Sequence, residues 1–183
     1  MSIFFNLQRD SGGKKKVVDF LSREYGGVDI DLLDFIPDGA ILLGLPSMSR
    51  KEVVRILSER IARYEKKACL DAISDAVLDR EELGSTVVEG GIAFPHARTE
   101  DVSKLNIGIA VSREGFVFDS DRRVNIVFLL VSNDEYASVY LLALAALARI
   151  VRNSDNIAKL MAAAQEDDIK AVLVGPKTSV KTD

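Results

Sequence analysis

The chain has 183 residues, of which 48% are hydrophobic and 28% charged, and it carries a formal net charge of −4. This length and balance predict one ordinary globular domain with a sizeable core, and they exclude a disordered chain. A net negative charge without a basic stripe argues against a nucleic-acid partner.

The chain contains one cysteine, Cys69, and one histidine, His96. These are too few for a disulfide or a conventional zinc cluster, so we predict neither a metal nor a cofactor. A lone cysteine is typical of a reducing compartment, and we interpret Cys69 as a small buried residue. No segment approaches the roughly 18 apolar residues of a membrane span, and charge at Arg9 argues against a signal peptide. We therefore predict a cytoplasmic protein without membrane insertion.

Residues 1–29 differ in composition from the rest of the chain. They contain two glycine pairs and a lysine triplet, and the apolar residues between the glycine pairs have helical spacing. We interpret them as a partly helical N-terminal extension that docks on a main domain of residues 30–176. Residues 177–183 are then a C-terminal tail.

The main domain begins with two predicted helices. The segment SRKE is a capping box, with Ser49 as the N-cap and Glu52 three residues later, and apolar residues follow at helical spacing as far as Tyr64. A second helix is predicted over residues 70–83, where Gly84 is placed to end it.

After the second helix the hydrophobic period changes to that of strands. Residues 91–94 (GIAF) predict a short strand that Pro95 ends. Residues 105–111 alternate between larger apolar and smaller or polar side chains, as a half-buried strand does. Residues 124–131 are nearly all apolar, which is typical of a strand covered on both faces. We expect a further piece at 116–118 to pair at an edge.

The last part of the chain predicts three helices. The segment SNDE at 132–135 is a second capping box, and residues 136–151 are apolar nearly all round, which predicts a helix in the core. Ser154 is expected to cap a helix that runs through Met161, and a last helix is predicted at 166–174. Helices that flank a mixed β-sheet make a single compact α/β domain.

His96 is the candidate functional residue. A lone histidine near a strand end is often structural, but Pro95 sharpens the exit from the strand, and α/β proteins place their sites at strand ends. Fixed positive charge and hydroxyl groups are close in sequence, and arginine pairs with phosphate oxygens. These surroundings indicate a phosphate environment, and no serine or cysteine hydrolase pattern is visible. The neighbours in question are Arg80, Ser85, Thr86, Arg98 and Thr99.

The segment DREELGSTVVEGGIAFPHAR resembles the active-site segment of type-2 IIA domains of the bacterial phosphoenolpyruvate-dependent sugar phosphotransferase system. That group holds the fructose, mannitol and nitrogen-regulatory IIA proteins. Their pattern is an Arg-Glu pair, a hydroxyl-containing ST, a glycine-led apolar strand and then Pro-His. Here Arg80 precedes His96 by sixteen residues, with these features between them in the same order. The resemblance continues through VNIVFLLV and YLLALAALARIVRN and covers roughly residues 30–175.

The resemblance implies a type-2 IIA fold and a phosphotransferase, and neither a hydrolase nor an oxidoreductase. His96 would take a phosphoryl group from the phosphohistidine of the small carrier HPr or a relative. It would then pass the group to a IIB partner or hold it as a signal. Arg80 matches the arginine of the family and would stabilise the transferred charge. The further candidates for the phosphate pocket are Ser85, Thr86, Ala97 and Arg98.

One position departs from the family pattern. Type-2 IIA domains of sugar uptake typically carry a second histidine at the start of the long helix, where this chain has Tyr140. A phenol donates one hydrogen bond but does not become a cation near neutral pH. This favours a regulatory, nitrogen-IIA-like phosphocarrier. Two alternatives stay open, namely a sugar-uptake component that serves a separate IIB/IIC permease and a degenerate IIA domain that only binds a target. The oligomeric state is also open.

Overall fold

The structure, a computed structural model, describes residues 30–65, 69–119 and 122–174. The predicted extension 1–29 and tail 177–183 lie outside the described residues. Among the described helices, none has the length and apolar content needed to cross a membrane.

The strands of the described part form one mixed sheet and are β1 (Ile41–Leu42), β2 (Val87–Val88), β3 (Ile92–Ala93), β4 (His96–Arg98), β5 (Asn106–Asp119) and β6 (Arg122–Ser132). Its path runs β1-β5-β6-β3-β2, and β4 also pairs with β6. The two long strands β5 and β6 are antiparallel, whereas β3 and β4 both run parallel to β6.

Helices cover both faces of this sheet, which confirms the predicted α/β class. One apolar cluster joins one sheet face to the first two helices, and it includes Leu57, Ile73 and Leu129. The other cluster joins the opposite face to the last three helices, and it includes Leu147 and Leu130. The helices are α1 (Arg50–Tyr64), α2 (Leu70–Glu82), α3 (Ala137–Val151), α4 (Ser154–Ala162) and α5 (Glu166–Val174).

Of the three predicted N-cap residues, one is confirmed, and in the other two cases the cap is a neighbouring residue. The capping box before α1 is confirmed, because Ser49 Oγ accepts from the Glu52 amide while the Glu52 side chain accepts from the Ser49 amide. Ser132 does not cap a helix, since it is still paired in β6, and Asn133 caps a short 3₁₀ turn before α3. Ser154 is the first residue of α4, and Asn153 provides its cap.

Two further expectations are wrong. The 116–118 segment is not a separate edge piece, because β5 continues through it and Phe116 pairs with Val124 of β6 after a register shift. Gly115, at φ +79°, lies at this irregularity and adopts the left-handed conformation that glycine tolerates. Cys69 is exposed rather than buried, because it precedes the first turn of α2 as the N-cap residue.

Pro95 interrupts a strand instead of ending it. The chain pairs with Ile126 and Val127 of β6 through β3, and pairing with β6 resumes at His96. Between these two stretches the Pro95 carbonyl still accepts from the Leu130 amide at 3.0 Å. Because proline has no amide proton, the ladder of hydrogen bonds with β6 lacks one donor at Pro95, and regular pairing begins again at the next residue. His96 is therefore the first residue of β4 and lies within the sheet, not beyond it.

Candidate functional site

The alternation of β4 separates its three side chains. Ala97 packs in the cluster beneath α1 and α2, and its side chain is 6% exposed. Because successive strand residues point to opposite faces, His96 and Arg98 lie on the α3 side of the sheet. His96 is half-buried and Arg98 is exposed. The Ala97 side chain is thus turned away from the imidazole, and only its backbone remains a phosphate-pocket candidate.

A backbone hydrogen bond sets the tautomer of His96. Its Nδ1 lies 2.8 Å from the Phe94 carbonyl oxygen. A carbonyl only accepts, so in the neutral ring the proton is on Nδ1 and Nε2 carries the lone pair. The carbonyl belongs to a buried residue whose ring stacks on Phe128, with centroids 5.5 Å apart. The acceptor is therefore held by core packing.

The surroundings of His96 keep the imidazole neutral near pH 7. Burial lowers its pKa from the ordinary value of 6.5 to about 4. The hydrogen bond to the Phe94 carbonyl opposes this shift, and the positive charges of Arg80 and Arg98 add to it. A neutral imidazole with a free Nε2 lone pair is a nucleophile.

Tyr140 lies directly beside the imidazole. The two ring centroids are 5.7 Å apart and the ring planes are inclined by 49°. Tyr140 is in the first turn of α3 and packs against the same cluster as Ala143 and Leu147. Burial raises the pKa of the Tyr140 phenol above its ordinary value, so the ring stays neutral. The first turn of α3 also brings the positive end of a helix dipole to the site.

Two arginines act electrostatically on both rings. Arg80, in the last turn of α2, is half-buried and donates from Nη1 to the Gly84 carbonyl at 3.2 Å. Arg98 donates to the Asp134 carboxylate at 3.2 Å, and both partners are largely exposed. Each positive charge lowers the pKa of His96 and of Tyr140. The site therefore has a positive potential around a neutral imidazole.

The two hydroxyl candidates have different surroundings. Thr86 is buried, and its Oγ1 donates to Glu81 Oε2 at 2.7 Å. A hydroxyl has one proton, so that of Thr86 is committed to the carboxylate. Ser85 is half-buried, and its Oγ accepts a long hydrogen bond of 3.5 Å from the Val87 amide. In the described part of the chain, no three His, Cys, Asp or Glu side chains are grouped as metal ligands would be.

The family described as "Phosphoenolpyruvate-dependent sugar phosphotransferase system, EIIA 2" matches residues 34–174 of this chain. The chain belongs to this family. Two curated relatives agree with this type-2 IIA assignment. A "PTS system fructose-specific EIIA component" from Haloferax volcanii is 30% identical over 145 residues, which is 78% of this chain and 94% of that protein. A "Nitrogen regulatory protein" from Bradyrhizobium diazoefficiens is 31% identical over 147 residues, which is 79% of this chain and 95% of that protein.

Solved structures show the same IIA fold. The crystal structure of nitrogen regulatory protein IIA-Ntr from Neisseria meningitidis has a TM-score of 0.70 and 23% identity, and the match covers 76% of this chain and 97% of that one. The mannitol IIA enzyme from Escherichia coli, in its complex with phosphorylated mannitol IIB, has a TM-score of 0.62 and 22% identity. That match covers 75% of this chain and 95% of the other.

In this IIA domain the fold brings some of the sequence candidates together and separates others. His96, Tyr140 and the charges of both arginines meet at the start of β4. Thr86 is instead bound to Glu81, the buried second residue of the Arg-Glu pair, which we did not predict as a site residue. A signal for Glu81 was present, since it continues the buried face of α2 formed by Ile73, Ser74 and Val77.

Proposed function

We propose that His96 is the phosphoacceptor of this IIA domain and that its Nε2 receives the phosphoryl group from the phosphohistidine of an HPr-type carrier. One observation supports this most strongly, namely the hydrogen bond from Nδ1 to the Phe94 carbonyl. It leaves the Nε2 lone pair free on a ring that the surroundings keep neutral. The acceptor domain is proposed to span residues 30–176 and to act in the cytoplasm.

The transfer balances without an additional reagent. The bond between phosphorus and the donor imidazole breaks as the bond from phosphorus to Nε2 of His96 forms. The His96 ring keeps its Nδ1 proton and becomes cationic, while the donor ring returns to neutral imidazole with its own proton. The Phe94 carbonyl then accepts a charge-assisted hydrogen bond, which stabilises the phosphorylated ring.

Phosphoryl transfer depends mainly on positioning and on stabilising charge. Arg80 is proposed to supply the main positive charge, because it is half-buried and less screened by solvent than Arg98. Arg98 supplies a second, exposed charge, and its backbone and that of Ala97 are further candidates for contact with the phosphate. Ser85 remains a candidate donor, whereas Thr86 is left out because its hydroxyl proton is bound by Glu81.

The proposed role is regulatory rather than bulk sugar import. Tyr140 lies beside His96 and supplies a neutral phenol at the place where a second histidine would supply a titratable cation. We expect phosphohistidine to form and to be discharged slowly, which suits a signal. The second candidate is relay to a separate IIB protein, and the similarity to a fructose-specific EIIA component favours it. A domain that is never phosphorylated is disfavoured by the neutral His96 nucleophile with two nearby guanidinium charges.

Incubation with phosphoenolpyruvate, enzyme I and an HPr-type carrier tests the proposal. Intact mass should show one acid-labile phosphoryl group on the wild-type chain and none on His96→Ala, which we expect to fold because His96 is at the edge of the core. Labelling of His96→Ala to the wild-type extent would refute the assignment. Adding candidate IIB proteins and following discharge separates the regulatory role from the relay role.

A further inference from the structure

A path of hydrogen bonds leads from a buried carboxylate to the imidazole of His96. Glu81, which is 2% exposed, accepts from the Thr86 amide at 2.8 Å and from the Thr86 hydroxyl at 2.7 Å. The Thr86 carbonyl accepts from the Phe94 amide at 3.3 Å. The Phe94 carbonyl in turn accepts from His96 Nδ1 at 2.8 Å. The orientation of the His96 ring is thus linked to Glu81 through two residues.

The link passes through the end of a short ladder. Strands β2 and β3 are antiparallel, with Val87 opposite Ala93, and the bond between Thr86 and Phe94 is the next rung. Phe94 is the last residue before Pro95, which offers no amide proton to continue that ladder. The position of Thr86 therefore controls the final rung before His96, and Glu81 binds both donors of Thr86.

The Glu81 carboxylate also holds one end of the turn that binds the side chain of Arg80, the main cation. The backbone turns after α2, and the Gly84 amide donates to the Glu81 carbonyl at 3.2 Å. The Gly84 carbonyl accepts from Arg80 at 3.2 Å. The Glu81 side chain binds Thr86 at the far end of this turn. It therefore restrains both Gly84, which binds Arg80, and Thr86, which binds Phe94 in the strand before His96.

A buried carboxylate is costly unless its oxygens are hydrogen-bonded. Here both oxygens accept from donors of a single residue, Thr86. We infer that Glu81 is a positioning residue for phosphoryl transfer at His96. It holds the Phe94 carbonyl against Nδ1 and so keeps the lone pair on Nε2. This inference rests on the proposed function of His96.

The test compares Glu81→Ala with Glu82→Ala, a matched control in which the neighbouring exposed glutamate is truncated. Nitrogen-15 NMR of the unphosphorylated protein at pH 7 reports the tautomer of its single histidine. Single-turnover phosphorylation by the HPr-type carrier reports the rate. For Glu81→Ala we expect a larger Nε2–H population and a rate about tenfold lower, the change expected for one lost hydrogen bond of ordinary strength. Glu82→Ala should match the wild type in both.

Conservative variants distinguish a positioning role of Glu81 from a role in stability alone. Glu81→Gln still offers an oxygen to the Thr86 amide and a donor to its hydroxyl, so its rate should remain within about threefold of the wild type. Thr86→Val removes the hydroxyl bond and should slow transfer, while Thr86→Ser should restore it. If Glu81→Ala does not fold, the tautomer and the phosphorylation rate of Thr86→Val test the inference instead. If Glu81→Ala folds and shows the tautomer and the rate of the wild type, the inference is overturned. If Glu81→Ala does not fold, the same result in Thr86→Val overturns it.

The failure of the proposed function has a different signature. A wild-type chain that takes no phosphate on His96 would refute the phosphoacceptor role. The tautomer measurement would still decide whether Glu81 positions the ring.

Discussion

The imidazole of His96 and the phenol of Tyr140 lie with their ring centroids 5.7 Å apart, on a strand and a helix that are 44 residues apart in the chain. This contact places a residue that stays neutral next to the proposed nucleophile. Both groups also lie in the field of Arg80 and Arg98. The number of positive charges around a phosphorylated His96 is therefore set by the arginines, and residue 140 adds none.

Replacing Tyr140 should alter discharge more than uptake. Tyr140→His introduces a ring that can become a cation next to the phosphate, so transfer from His96 to a IIB partner should become faster. Tyr140→Phe removes one hydroxyl, and a single hydrogen bond from it to a phosphate oxygen would be worth about 1 kcal/mol net, so uptake should change only modestly. Rapid-quench measurement of both half-reactions checks this. Equal discharge rates for wild type and Tyr140→His would contradict it.

The low pKa of His96 predicts how stability depends on pH. The unfolded chain binds a proton at His96 below pH 6.5, whereas the folded chain does so only below about pH 4. Because protons favour the unfolded state between these values, the contribution of neutral His96 to stability is present above pH 6.5 and is lost as pH falls towards 4. Urea unfolding at several pH values should show a steeper loss for the wild type than for His96→Ala.

The comparison with His96→Ala removes the contribution of the carboxylates, which titrate in both proteins. Parallel stability curves between pH 6.5 and 4 would show that His96 is not held neutral.

Arg80→Lys should affect the reaction more than the fold. Lysine keeps the charge but loses the planar fork that binds the Gly84 carbonyl and matches a phosphoryl group. We expect the phosphorylation rate to fall by at least about tenfold, since arginines at phosphoryl-transfer sites contribute at least that much. Arg98→Lys, at an exposed position, serves as the comparison and should have a smaller effect. A larger effect at Arg98 would reverse the proposed roles.

Asp134 restrains Arg98 and should oppose phosphorylation. Both side chains of this ion pair are largely exposed, so Asp134→Asn should change the free energy of unfolding by less than about 1 kcal/mol. The same change removes a negative charge and releases a guanidinium, so the phosphorylated fraction at equilibrium with the carrier should rise. Glu135→Gln, at the exposed neighbouring position, is the matched control. A fraction that responds equally to both variants would show only a general charge effect.

One of the three predicted helix caps was correct, and its two partners are close in the chain. The capping box of Ser49 and Glu52 is contained within four residues, and it forms as predicted. The candidate role of His96 depended on the Pro-His pattern and on the family resemblance. The continuation of pairing past Pro95 was missed, because it depends on β6, which is about thirty residues further along the chain.

The hydrogen bond from the Thr86 hydroxyl to Glu81 was not predicted, for a related reason. A threonine next to a serine before a glycine-led strand indicates hydroxyls available for phosphate. Its proton is instead bound by Glu81, which the helical period places on the buried face of α2 and which becomes buried when that face packs against the sheet. Glutamate is rarely buried without partners, so composition alone favours an exposed position for it.

In the proposed reaction, Nε2 of His96 receives the phosphoryl group while Nδ1 keeps its proton, which is hydrogen-bonded to the Phe94 carbonyl. Nitrogen-15 and phosphorus-31 NMR of the phosphorylated full chain measure this directly, because this chain has one histidine. We expect phosphorus coupled to Nε2 and a protonated, hydrogen-bonded Nδ1. Phosphorus bound to Nδ1, or a histidine that stays unmodified in the presence of phosphorylated carrier, would contradict it.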